Sequence, residues 1–136
     1  MKIVVVDGQG GKLGKMLVEG LKQRLPQAQL YAIGTNSIAT ATMLRAGADF
    51  GATGENPVIR AVMDADLVLG PMGIVVAHAI LGEVTPAMAE AVGGCRAKKI
   101  LIPMNSCGVT VAGVQEMPLT YYVNQAVEQA AIRMEG

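Results

Sequence analysis

The chain has 136 residues, balanced formal charge (+0), 51% hydrophobic residues, and only 16% charged against roughly 25% in average soluble proteins. That length suits one domain, residues 1–136, and is too short for a cofactor domain plus a separate substrate domain. Neutral charge, 3% aromatics and no Trp leave neither the electrostatic field nor the stacking platforms that nucleic-acid binding needs, so nucleic acid is excluded as a partner.

The opening residues organise the rest. Lys2-Ile-Val-Val-Val-Asp7 reads as a buried strand, Gly8-Gln-Gly10-Gly11-Lys12-Leu13-Gly14 as a tight turn, and Leu13, Leu17, Leu21 and Leu25 fall at helical spacing. Strand, glycine turn and helix open a nucleotide-binding α/β domain. Glycines let the backbone approach a ligand, and the first helical amides point at an anion. Gly8, Gln9, Gly10, Gly11, Lys12 and Leu13 are therefore candidate cofactor-binding residues. The spelling is G-x-G-x-x-x-G, or G-x-x-G-x-x-G through Gly8, Gly11 and Gly14, and departs from strict G-x-G-x-x-G at Leu13. A P-loop is excluded, because Met16 stands where that motif needs Ser or Thr. Asp7 would repel a phosphate unless it pointed away or shared a metal. Hydrogen bonding to turn amides is the favoured use, since no second carboxylate ligand is evident, and no metal site is expected.

After Pro26, Leu30–Ile33 reads as a second buried strand, and Ile38–Ala46 as a helix capped by Asn36 or Ser37. The end of the second strand is where a dinucleotide domain carries an acid for the ribose 2′-hydroxyl. Gly34, Thr35, Asn36 and Ser37 stand there instead. They speak against ordinary NAD recognition but remain candidate cofactor-binding residues, leaving open a 2′-phosphate, a mononucleotide, a different ligand or a plain capping turn. A short third strand is expected around Asp49 to Ala52, then a helix with Asn56 as N-cap and Pro57 in its first turn. Thr53, Glu55 and Asn56 come to the same strand-end edge and are candidate substrate-side residues, although Glu55 also simply suits a helix N-terminus.

Asp66–Leu69 is the fourth strand. A second glycine turn, Gly70-Pro71-Met72-Gly73, follows, and then a helix is expected through Ile74, Val75, Ala77, His78 and Leu81. In a doubly wound sheet the first and fourth strands lie side by side where the winding reverses, so both glycine turns reach one crevice. His78, the sole histidine, is expected to be a packed or interface residue of that helix and not to act in acid–base chemistry.

Thr85-Pro86 caps and starts a further helix that ends near Gly93-Gly94, and Lys98–Pro103 is the fifth strand. Its exit, Met104-Asn105-Ser106-Cys107, adds Asn105, Ser106 and Cys107 as candidate substrate-side residues. Without a nearby cation Cys107 reads as an inert thiol, and Cys95, although followed by Arg96, is read as inert too. Val109–Val114 is expected to form a sixth, antiparallel edge strand. A final helix after Pro118 presents Leu119, Tyr122, Val123, Ala126, Val127, Ala130 and Met134 on one face. The apolar stretch from Leu67 to Gly82 is broken by Gly70-Pro71 and Gly73 and falls short of a membrane span of roughly 20 residues. The first residues do not form a signal peptide, and the two cysteines fit a reduced, cytoplasmic setting. So little charge on so small a chain also suggests a homo-oligomer.

Asp7-Gly-Gln-Gly-Gly11, Gly34-Thr-Asn-Ser-Ile-Ala39, Ala46-Gly-Ala-Asp49, Gly51-Ala-Thr-Gly-Glu-Asn56, Gly70-Pro-Met-Gly-Ile74 and Lys98-Lys-Ile-Leu-Ile-Pro103 carry a resemblance along nearly the whole chain. On these strings it resembles an uncharacterised family of small bacterial single-domain proteins grouped as a domain of unknown function. That resemblance implies a Rossmann-like fold and brings no catalytic residues with it. The first turn alone is similar to the GAGGRMG turn of dihydrodipicolinate reductases, which bind NAD(P).

The expectation is thus a single Rossmann-like, doubly wound α/β sheet, mostly parallel. It would bind NAD(P) or another nucleotide, as a small phosphate-bearing ligand, and serve as a binding or regulatory module. A small reductase whose site is completed by a second subunit, with Glu55, His78 or Cys107 converging on the crevice, and a ligand-free structural oligomer are the alternatives.

Overall fold

The computed structural model describes residues 1–104 and 107–135. Five strands form one sheet, β1 (Lys2–Asp7), β2 (Gln29–Gly34), β3 (Phe50–Thr53), β4 (Leu67–Pro71) and β5 (Lys98–Ile102), in the order β3-β2-β1-β4-β5. Every pairing is parallel. The crossovers are α1 (Lys12–Arg24), α2 (Ser37–Arg45), α3 (Glu55–Val62) and α4 (Pro86–Gly94), and α5 (Leu119–Glu135) follows the last strand.

The central strands are apolar at successive positions because both sheet faces are covered. Ile3 and Val5 of β1 pack with Leu17, Leu21, Met43 and Val127 of α1, α2 and α5. Val4 and Val6 turn to the other side and meet Val58, Val62, Met88 and Val92 of α3 and α4. Winding therefore reverses between β1 and β4, which pair through Ile3–Leu67, Val4–Val68 and Val5–Leu69. This is the side-by-side placement the sequence predicts.

Local chemistry sets the helix starts. Asn36 caps α2 by accepting from the Ala39 amide at 2.9 Å, and Thr85 caps α4 by accepting from Met88 at 3.1 Å, with Pro86 in the first turn. Helix α3 begins two residues earlier than expected. Gly54 is its N-cap, and Asn56-Pro57 sit within the first turn, where a missing proline N–H costs nothing.

Two expectations fail. The helix after β4 is absent: a 3₁₀ turn at Met72–Val75 gives way to an irregular loop, residues 76–84. The His78 amide bonds to Val84 O at 2.7 Å, that of Val84 to Ala79 O at 3.1 Å, and that of Glu83 to Ile80 O at 2.9 Å. Those closures need left-handed backbone at His78, Ile80 and Leu81 (φ 68°, 57° and 53°), which no α-helix contains. His78 is consequently exposed and not packed in a helix. The antiparallel strand over Val109–Val114 is absent as well. Gly108 and Gly113 take positive φ (77° and 84°), which breaks the extended run, and the segment is exposed instead of pairing with β5.

Candidate functional site

Parallel winding brings every β-to-α turn to the C-terminal edge of the sheet. The turn after β1 is held from within. Gln9 and Gly11 adopt φ 48° and 78°, and the Gly11 amide donates to Gly8 O at 2.9 Å. Asp7, 5% exposed, spends both carboxylate oxygens on this turn: Oδ1 accepts from the Gly8 amide at 2.8 Å and Oδ2 from the Gly14 amide at 2.6 Å. The residue thus braces turn amides, as its place beside glycine suggested. Burial pushes its carboxyl above the usual range, with the Gly14 and Gly8 bonds pulling the other way and the Glu83 charge adding to the rise.

The amides of Gly10, Lys12 and Leu13 have no hydrogen-bond partner among the described residues, and they lie at the positive end of α1. They open on a cavity of about 350 Å³ between the turns after β1 and β4. Its walls include Leu13, Pro71, Ile80, Met104 and Leu119, and Leu81 rims it with 90% of its surface exposed. Lys12 is its one cationic lining residue among those described. Cys107 also lines the cavity, its thiol donating to Met104 O at 3.3 Å.

Both glycine turns thus meet one crevice, through Gly8–Leu13 on one side and Pro71 and Gly73 on the other. Gly70 packs beneath, where a Cβ would strike Val6 O, and Met72 faces a neighbouring cavity lined by Pro103, Thr110 and Tyr122. Gly34, Thr35, Asn36 and Ser37 stand on the far side of the β1 tip and line no part of the cavity. Thr53 hydrogen bonds Thr40 at 2.7 Å beside β2, and Glu55 and Asn56 are exposed at the start of α3, so all three are also outside it. Of the residues that an enzyme reading would bring together, Cys107 reaches the crevice, whereas Glu55 and His78 do not. Asn105 and Ser106 lie outside the described residues.

The separation between the two sides is made by a residue the sequence reading passed over. Glu83, from loop 76–84, lays Oε1 against the Thr35 hydroxyl at 2.6 Å, the Asn36 side-chain amide at 2.8 Å and the Gln9 backbone amide at 3.0 Å. Burial alone would raise its carboxyl, but the bonds from Thr35, Gln9 and Asn36 outweigh it and hold the group below its ordinary range. A carboxylate therefore does stand at the end of β2, delivered from 48 positions further along the chain. One signal was available in sequence: apart from His78, Glu83 is the sole charged residue between Asp66 and Glu90, and such isolation in an apolar stretch asks for a partner.

Among the described residues no group of three or more His, Cys, Asp or Glu could hold a metal, and no helix is long and apolar enough to cross a membrane. No curated protein matches the sequence. Solved structures similar to it include a dodecameric FMN-dependent UbiX-like decarboxylase from Escherichia coli O157:H7, 18% identical with a TM-score of 0.48, the match covering 95% of this chain and 75% of that one. Another is AibC, 15% identical with a TM-score of 0.45, where the match covers 96% of this chain and 38% of the other. The family model described as a domain of unknown function (DUF3842) matches residues 2–135, and the chain belongs to that family.

Proposed function

We propose that this protein binds a phosphate-bearing ligand of mononucleotide size, with the phosphate on the amides of Gly10, Lys12 and Leu13 and a flat apolar group against Pro71, Ile80, Met104 and Leu119. The observation that carries this reading is the pairing of three amides at a helix N-terminus, unpartnered among the described residues, with an apolar-walled cavity of about 350 Å³. That volume lies at the low end of the roughly 300–1,000 Å³ of small-molecule sites, which favours one nucleotide over two. Lys12 adds a single positive charge at the mouth. As no acid–base pair flanks the cavity among the described residues, a binding or regulatory module is the preferred role, and self-association through exposed apolar side chains such as Ile38 and Met63 accompanies it.

An enzyme remains the second reading because Cys107 lines the same cavity. It requires a partner that lowers the thiol pKa, and a second subunit would have to supply it.

A thermal-shift panel of AMP, FMN, ATP, NAD, NADP and coenzyme A tests the proposal. A ligand at 100 times its dissociation constant adds about 2.7 kcal/mol of stability, a readily measured shift. AMP or FMN should stabilise the protein, and Lys12→Glu should weaken the effect. No shift with any member overturns the nucleotide reading and leaves a ligand-free structural role ahead.

A further inference from the structure

Two glycines of the same turn have opposite surroundings. A Cβ at Gly10 would meet no atom within 4 Å, whereas one at Gly8 would lie 2.5 Å from Thr35 Oγ1, 2.8 Å from Glu83 Oε1 and 3.0 Å from Ile80 Cγ2. The room that a glycine leaves above the β1 tip is therefore filled by the protein's own side chains. In the dinucleotide-binding version of this fold, that tip is where a diphosphate crosses from one half of the crevice to the other.

We infer that Glu83, backed by Ile80 and Thr35, sets the length of the ligand: the site accepts a single nucleotide and turns away any whose diphosphate must cross Gly8 towards Thr35–Ser37. This inference rests on the nucleotide reading of the cavity. Bulk and charge both contribute. Ile80 and Glu83 occupy the path, and a second phosphate there would face the carboxylate of Glu83. The donors that could have held that phosphate, the Gln9 amide, the Thr35 hydroxyl and the Asn36 side chain, already converge on Glu83 Oε1. The wall is built into the backbone, since the closures between His78 and Val84, Ala79 and Val84, and Ile80 and Glu83 fix the loop that carries it.

The experiment measures dissociation constants by calorimetry for two matched pairs, FMN with FAD and AMP with NAD, on the wild-type chain and on Glu83→Ala. The wild type should bind the mononucleotide of a pair at least tenfold more tightly than the dinucleotide. Glu83→Ala removes bulk and charge and frees three donors, so that preference should shrink by tenfold or more while mononucleotide affinity moves less than threefold. Glu83→Gln keeps the bulk and should shrink it less. Should Glu83→Ala fail to fold, Ile80→Ala opens the same wall from its apolar side and must also shrink the preference. A wild type that binds both members of a pair equally, or a folded Glu83→Ala with unchanged preference, overturns this inference alone. Absence of binding by every probe overturns the nucleotide reading and this inference with it.

Discussion

The hydroxyl of Thr35 donates to Glu83 Oε1 over 2.6 Å and ties the exit of β2 to the loop that follows β4. A hydrogen bond to a charged group contributes about 1.5–3 kcal/mol, and half-burial of Glu83 places this one near the lower figure. Thr35→Val keeps the shape and deletes the donor, so urea denaturation should give a loss of about 1–2 kcal/mol with an unchanged m-value. The sign with pH is fixed too. The folded-state carboxyl of Glu83 is held below its ordinary value of 4.5, so its stabilisation is present above that value and disappears as pH falls through the folded one. The acid limb of stability should therefore be shallower in Thr35→Val than in the wild type.

Asp7 acts in the opposite direction. Its folded-state carboxyl is raised above 3.8, chiefly by burial, so the folded protein holds the proton more tightly than the unfolded chain. Between 3.8 and the folded value, the contribution of Asp7 to the unfolding free energy falls as pH rises. Asp7→Asn should abolish that slope. It also turns an NH₂ towards either the Gly8 or the Gly14 amide, leaving one buried donor unmatched at a cost of about 1–3 kcal/mol. Stability measured from pH 3 to 7 on both this variant and Thr35→Val separates the two carboxyls. A slope that survives in Asp7→Asn would assign it elsewhere.

The features legible in the sequence are those set by neighbours along the chain. Continuous apolar runs reveal strands covered on both faces, and Asn36, Thr85 and Pro86 announce helix starts through bonds reaching only three residues ahead. Loop 76–84 was hidden because Ile74, Val75, Ala77, His78 and Leu81 imitate helical spacing, while the deciding contacts are backbone closures and left-handed residues that periodicity cannot register. Val109-Thr-Val imitates a strand in the same way until the flanking glycines bend it. Of the candidate site, the glycine turns and their shared crevice could be read. The division of that crevice could not, because it depends on Glu83 reaching Thr35 across 48 positions.

Leu81 combines a left-handed backbone, φ 53°, with a side chain 90% exposed. Left-handed geometry costs a non-glycine residue about 1–2 kcal/mol, and little packing offsets it here. Asparagine tolerates this region because its short side chain can bond to nearby backbone. Leu81→Asn should therefore raise stability by about 0.5–1 kcal/mol, seen as a higher melting temperature. A lower melting temperature would show that Leu81 is covered in solution, as it would be by a bound ligand or a second copy of the chain.

Gly14 and Gly10 share one turn and should respond oppositely to alanine. At Gly14 a Cβ would strike the sulfur of Met43, which is fully buried, and come within 2.9 Å of Asp7 Cβ. Overpacking of that kind costs about 1–3 kcal/mol and exceeds the roughly 1 kcal/mol that alanine gains over glycine in a helix. Gly14→Ala should accordingly lower the urea midpoint. At Gly10 the methyl meets open space on a backbone outside the left-handed region, so stability should stay within about 0.5 kcal/mol. That open space is where the proposed phosphate approaches the Gly10, Lys12 and Leu13 amides, so calorimetry should record at least a tenfold loss of mononucleotide affinity in Gly10→Ala. Full affinity in that variant would move the phosphate away from this turn.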